Sequence, residues 1–153
     1  MPASLRFRRA AYRLTYRLLR VWWFIRRPQI EGVKCLLTHG EEVLLVRHTY
    51  GPDVWDLPGG GVKSGEAPRR AAQREMSEEL GLEDADWRDA GTIHGRQSFR
   101  YDTVHCFQAE LPSRSIDPNL AELAEARWFA RTALPSRLGI YAAPVLDARL
   151  EAG

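Results

Sequence analysis

Apolar and polar positions follow different rules in different parts of the chain. In the first stretch, "SLRFRRAAYRLTYRLLRVWWFIRR", Phe7, Ala11, Leu14, Leu18, Val21, Trp22 and Ile25 gather on one side of a helical wheel. Arg6, Arg9, Arg13, Arg17 and Arg20 fall within about 80° of one another on the opposite side. The pattern predicts a basic amphipathic helix ended by Pro28. The pattern then changes. "GVKCLLTHGEEVLLVRH" holds two apolar, partly β-branched runs around His39-Gly40-Glu41-Glu42, which predicts a hairpin. A loop dense in Gly and Pro, "TYGPDVWDLPGGGVKSGEAP", leads to Pro68, a good first-turn residue for a helix over about 67–80 that Gly81 stops. Beyond it come "DWRDAGTIHG", a long strand "SFRYDTVHCFQAEL", a polar loop from Pro112 to Leu120, a short strand "EARWFA" and a helix near 138–150. Strands outnumber helices without regular βα alternation, so the fold class predicted is an α+β sandwich around a mixed sheet. No internal repeat or low-complexity run interrupts it.

Composition divides the chain in two. With 153 residues, 44% of them hydrophobic, it can bury the core of one domain. The net charge of +2 conceals an asymmetry: eight of the 22 basic residues and none of the 20 acidic ones lie in residues 1–27. The remainder therefore carries 14 basic against 20 acidic side chains, a net of −6. We expect an arginine-rich helical segment over residues 1–28 and a folded domain over 29–153. Cys35 and Cys106 stand in apolar strand-like runs, no secretory signal with a small-residue cleavage site precedes them, and both are expected to be reduced core thiols of a cytoplasmic protein. No run reaches the roughly 20 apolar residues of a membrane span, and the CxxC or Cys/His spacings of a zinc site are missing.

The stretch with the clearest chemistry is "REMSEELGL", Arg74 to Leu82. On a helix, Glu75, Glu78 and Glu79 occupy one narrow face at i, i+3 and i+4, where like charges repel by about 0.2–0.5 kcal/mol per pair. Ala72, Met76 and Leu80 form an apolar line beside them, able to dock on a sheet and to bring the glutamates to the edge of a buried interface. Carboxylates in that position require a counter-charge. Oxygen-only ligands on a rigid element favour a hard divalent cation, Mg²⁺ with Mn²⁺ as a substitute, which also binds substrate phosphates. A merely solvated acidic face is the competing reading of the three glutamates alone.

From Gly60 the chain runs through five residues to Glu66 and through seven more to Arg74-Glu75-Met76-Ser77-Glu78-Glu79-Leu80-Gly81-Leu82. Every fixed position resembles the signature of the Nudix hydrolase family, and "WDLPGGGVKSGE" and "EARWFA" resemble its flanks. The resemblance covers about residues 31–150 and implies a Nudix-type α/β/α sandwich in which the box forms loop, helix and loop. It further implies metal ligation by Glu75, Glu78, Glu79 and a backbone carbonyl of Gly59 or Gly60. Arg74 would orient the carboxylates, and Glu66 would support the loop from Gly59 to Gly65. The reaction implied is Mg²⁺-dependent hydrolysis of a phosphoric anhydride by water. Glu78, Glu79 or Glu122 would serve as general base, since some relatives bring a glutamate in from the loop that holds Glu122.

Substrate is less specified. A Walker-type GxxxxGK[ST] loop is absent, as are the coenzyme A and NADH motifs found in parts of the family. Gln97 and Ser98 stand where ADP-ribose enzymes often place a proline, and Tyr101 stands near a tyrosine position of dinucleoside polyphosphate enzymes. Arg47, Tyr50, Trp55 and Phe99 are candidates to stack on a base. A nucleoside di- or triphosphate derivative is the expected small-molecule partner, with no nucleic acid expected because the net −6 remainder offers no basic groove. A catalytically idle nucleotide sensor or binding module with the same fold is the alternative. The arginine-rich helix has three readings: packing on its own domain or a second copy, lying peripherally on an anionic membrane surface, or targeting. Hydrolysis is expected not to depend on it.

Overall fold

The computed structural model describes residues 3–26, 29–97 and 99–150. The predicted stop at Pro28, together with Arg27 and Ser98, lies outside them. The chain opens with helix α1 (Ala3–Arg26). Strands β1 (Gln29–His39) and β2 (Glu42–His48) form the expected hairpin. Their antiparallel pairing includes Thr38↔Val43 and His39↔Glu42 and turns at Gly40, whose φ of 56° suits a residue without a Cβ. Helix α2 (Pro68–Leu80) follows the glycine-rich loop. The rest of the chain supplies β3 (Arg88–Gln97), β4 (Arg100–Glu110), β5 (Leu123–Ala130) and α3 (Ala142–Leu150).

The strands build one sheet in the order β3-β4-β1-β2-β5. β1 and β4 run parallel from Gln29↔Tyr101 to Thr38↔Glu110, and the other neighbours are antiparallel. Alternation along β1 and β2 sends Val33, Cys35, Leu37, Leu44 and Val46 to the face covered by α2, and Leu36, Val43 and Leu45 to the face covered by α3. Both faces being covered explains why "VLLV" reads as a continuous apolar run. This is the mixed-sheet α/β/α sandwich expected. Cys35 and Cys106 are buried, and they belong to the cores of opposite faces.

Several boundaries differ from the sequence pattern, and two have a visible cause. β5 begins at Leu123 rather than Glu125, because Leu123 still pairs with His48 across a register shift. α3 begins at Ala142 rather than near 138, because the preceding backbone is spent on the glycine-rich loop: Trp55 N–H donates to Arg137 O at 2.8 Å and Gly139 N–H to Trp55 O at 2.8 Å.

Candidate active site

α2 begins at Pro68, which needs no N–H partner at that position. It ends at Gly81 in the left-handed conformation, with Gly81 and Leu82 N–H groups bonded to Ser77 and Met76 carbonyls. Ala72, Met76 and Leu80 are fully buried against the sheet. That docking carries two of the three glutamates inward: Glu75 is 9% and Glu79 only 1% exposed, whereas the Glu78 side chain is 54% exposed.

The counter-charge inside the box is Arg74. Its guanidinium grips Glu66 through two nitrogens at 2.9 Å each, reaches Glu75 Oε1 at 2.6 Å and Glu78 Oε2 at 3.4 Å, and donates to Gly61 O at 2.8 Å. The bidentate grip, with the Lys63 N–H at 2.9 Å, holds the Glu66 carboxyl down to about 2. Glu75 moves the other way. Burial lifts its pKa, Glu79 and Glu78 add to the rise, and Arg74 opposes it.

The glycine loop is fastened to β1 and to α2. Val33 N–H donates to Gly60 O at 2.8 Å and Cys35 N–H to Pro58 O at 2.9 Å. Gly59 N–H donates to Glu79 Oε2 at 3.1 Å, and His48 Nε2 lies 3.1 Å from Glu79 Oε1. A Cβ on Gly59, at φ 146°, would meet the Val33 carbonyl oxygen at 2.1 Å. A Cβ on Gly60 would fall 2.4 to 2.6 Å from the Glu75 carboxylate. The glycines are therefore what lets backbone lie directly against the acids.

A fourth carboxylate joins from the loop before β5. Asp117 and Asn119 N–H groups bond the Leu80 and Glu79 carbonyls at the end of α2, and Thr49 N–H bonds the Glu122 carbonyl. These ties bring Glu122 beside Tyr50, whose hydroxyl donates to Glu122 Oε1 at 3.3 Å. Burial lifts the Glu122 pKa, followed by the Glu79 charge, and burial with Glu122 lifts that of Tyr50.

Among the described residues, no three His, Cys, Asp or Glu side chains converge as a ready metal-binding group. Arg74 draws Glu75 and Glu78 toward itself, and Glu79 is turned to Gly59 and His48. The chemistry of the donors nonetheless fits a hard cation. They are oxygen-only, sit beside backbone that carries no Cβ, and are charged enough that Glu78 and Glu79 raise the pKa of both Glu75 and Glu122.

Next to these acids opens a cavity of about 460 Å³, a volume suited to a nucleotide-sized ligand. Its floor is Gly59 to Gly61 with His48 and Tyr50, and its far wall holds Asp102 and Tyr141. Tyr141 OH donates to Asp102 Oδ2 at 2.7 Å, and both residues are buried. α1 contributes Tyr16, Leu19 and Trp23 to the lining. The helix is held there by Arg9 and Arg13, which donate to the Leu120 and Thr49 carbonyls at 3.0 and 2.9 Å. Tyr12 and Tyr16 add ring contacts to Tyr50 at 5.9 and 5.5 Å.

Of the residues expected to meet a base, Tyr50 lines this cavity and the other three do not. Arg47 is engaged by Asp53 and Glu125 and lies over the Trp55 ring at 5.2 Å; Trp55 also packs edge-on against Phe129. Phe99 is half exposed and packs against Phe24 of α1. Tyr101 is half exposed beneath the Arg96 guanidinium. Sequence reasoning missed Lys34, His48, Asp102, Tyr141 and the α1 residues. Tyr12 and Tyr16, one turn apart on the edge between the arginine and apolar faces, were the signal available for α1.

Comparison with known proteins follows the same outline. The family model described as NUDIX domain matches residues 28–148. Over 101 residues the chain is 36% identical to the NAD-capped RNA hydrolase NudC of Pseudomonas aeruginosa, covering 65% of this chain and 36% of that protein. Over 109 residues it is 32% identical to a putative 8-oxo-dGTP diphosphatase of Bacillus subtilis, covering 71% and 68%. The chain thus spans about a third of the length of the Pseudomonas relative. The structure of a MutT NUDIX hydrolase from Burkholderia pseudomallei superposes with a TM-score of 0.72 at 22% identity, over 78% of this chain and 96% of that one, a likeness of fold. The family match runs through the glycine loop, α2 and the loop that carries Glu122, and on it the chain belongs to the Nudix hydrolase family.

Proposed function

We propose that the protein is a Mg²⁺-dependent pyrophosphohydrolase that cleaves an anhydride bond in a nucleoside di- or triphosphate derivative. The observation that carries this reading is a glycine loop that lies against Glu75 and Glu79 on one side and lines an aromatic-walled cavity on the other. Glu75, Glu78 and Glu79 would hold the ion, with Mn²⁺ as a substitute. The Gly60 carbonyl already accepts from Val33, so Gly59 is the better candidate for the backbone ligand. Bound Mg²⁺ supplies neutralisation of diphosphate charge and acidification of water.

The chain's own groups would do the rest. The base would lie against the aromatic side of the cavity made by Tyr50, Tyr16 and Trp23, with the diphosphate toward Gly59 to Gly61. Glu122 accepts a proton from the attacking water. Burial raises its pKa, which makes it a stronger proton acceptor than an exposed carboxylate, and the Tyr50 hydroxyl aims it. The water oxygen bonds to phosphorus as the bridging P–O bond breaks, giving a nucleoside monophosphate plus pyrophosphate or a phosphorylated partner. Arg74 holds Glu75 and Glu78 oriented through its guanidinium contacts. Since α1 supplies part of the wall, we no longer expect hydrolysis to be independent of residues 1–27. Two cysteines, both buried in apolar cores on opposite faces of the sheet, suit a reducing compartment, so we place the protein in the cytoplasm.

A nucleotide panel with Mg²⁺, resolved by chromatography, tests this. The relatives' names call for two RNA arms, a 5′-triphosphorylated and an NAD-capped oligonucleotide. Turnover of free nucleotides to the monophosphate, abolished by EDTA, is expected. Release of inorganic phosphate alone would refute the bond assignment. Tight nucleotide binding without turnover would move the assignment to an idle sensor.

A further inference from the structure

α1 has two working faces, and the cavity uses only one. Arg9, Tyr12, Tyr16 and Trp23 share the edge that meets the domain, and Trp23 is buried. Opposite them, Phe7, Leu14, Leu18, Val21 and Ile25 stand between 59% and 77% exposed, with Trp22 at the margin at 48%. Apolar side chains left in a row on the outside of a helix mark an interaction surface. The helix is about 36 Å long at 1.5 Å per residue. Yet no helix among the described residues is long and apolar enough to cross a membrane.

Charge selects the occupant. On the wheel, Arg6 and Arg17 flank the apolar face on one side, and Arg8 and Arg26 on the other. No acid occurs anywhere in α1. A second copy seated on this face would set arginine flanks against arginine flanks, a repulsive arrangement. An anionic lipid surface complements both flanks at once and receives the apolar row between them. The rest of the protein, at net −6, is repelled by the same surface, which leaves α1 as the side that faces it.

We infer that α1 is a peripheral membrane anchor: its outward apolar row lies in the headgroup region of an anionic bilayer while its inward edge walls the cavity. The cavity is thereby held beside the bilayer and not buried against it, because the two faces of α1 point in opposite directions.

Co-sedimentation of the full chain with phosphatidylcholine vesicles, with and without phosphatidylglycerol, tests the anchor independently of any hydrolysis. Pelleting with the anionic vesicles and release at high salt are expected. Leu14→Asp with Leu18→Asp should reduce vesicle affinity tenfold or more, since each puts a charge into the inserted row. Arg6→Gln with Arg17→Gln should reduce it about fivefold per arginine. These side chains are exposed, so thermal melting of both variants should match the parent. Failure to pellet would overturn the inference, as would equal pelleting with neutral vesicles that neither variant changes. A fall in mass by light scattering on Leu14→Asp with Leu18→Asp would show that a second copy covers the face, and would overturn it too.

Discussion

α1 and α2 are both amphipathic helices, and they are mounted in opposite senses. α2 turns its apolar line into the core and brings its charged face to the edge of a cavity, burying Glu75 and Glu79. α1 turns its apolar row out and is fastened by a mixed edge of two arginines, two tyrosines and Trp23. The difference shows that amphipathicity fixes the separation of faces but not which face is inward. For α2 the sheet supplied the larger apolar area, so burial decided. For α1 the contact area is a rim with open carbonyls and the rings of Tyr50 and Phe99, which donors and rings satisfy.

The largest test of this contrast is on α2. Glu79→Gln or Glu78→Gln should lower kcat at least about a hundredfold while the fold persists, because each change removes a proposed ligand and spares the packing. Steady-state kinetics beside a circular dichroism spectrum read both. Full activity in either variant would reduce α2 to a structural helix. Next in size are the glycines. Gly59→Ala drives a Cβ into the Val33 carbonyl and should lower Tm by about 5 °C or more. Gly60→Ala displaces only the end of the Glu75 side chain, so kcat should fall with little change in Tm.

On α1, Tyr16→Ala should raise KM for a nucleotide by about twofold to tenfold, the scale of one ring contact. Leu14→Asp, on the outer face, should leave KM within error. Equal effects of the two would mean that the faces are not functionally distinct. The smallest effect is electrostatic. Folding raises the Glu122 pKa, so its ionised form opposes folding. That penalty is fully present above the folded-state pKa and vanishes as pH falls below the ordinary carboxylate value of about 4.3. Glu122→Gln should therefore raise Tm by about 1–2 °C at neutral pH, a small gain because partial contact with water screens the charge. The gain should disappear on acidification, and at neutral pH activity should be lost.

Much of the α2 side was legible in the sequence. Pro68, Gly81 and the spacing of Ala72, Met76 and Leu80 delimit the helix and its inward face, and the box names the acids. The hairpin was legible because Gly40 interrupts two apolar runs. The cavity was not. Asp102 meets it only through the parallel register of β4 on β1, in which Ile30 lies beside Asp102, and no local pattern encodes that pairing. Arg47 and Trp55 read as base-stacking groups, but the β2–β5 register puts Glu125 opposite Arg47, and the guanidinium settles on Trp55 instead. The fastening of α1 was hidden for a further reason. Arg9 and Arg13 bond backbone carbonyls, and a sequence does not flag which carbonyls will be left open.

The glycine-rich loop also sets how fast different parts of the site can respond. Its Val46–Asp56, Cys35–Pro58 and Val33–Gly60 bonds stitch an irregular segment into the middle of the sheet, in the gap where β1 and β2 part. The amides of Val33, Cys35 and Asp56 should then exchange with deuterium as slowly as central strand amides, because freeing them requires opening the sheet. The floor under the phosphates would be as long-lived as the fold, and adjustment to ligands of different shape would fall to the side of the cavity walled by a single helix.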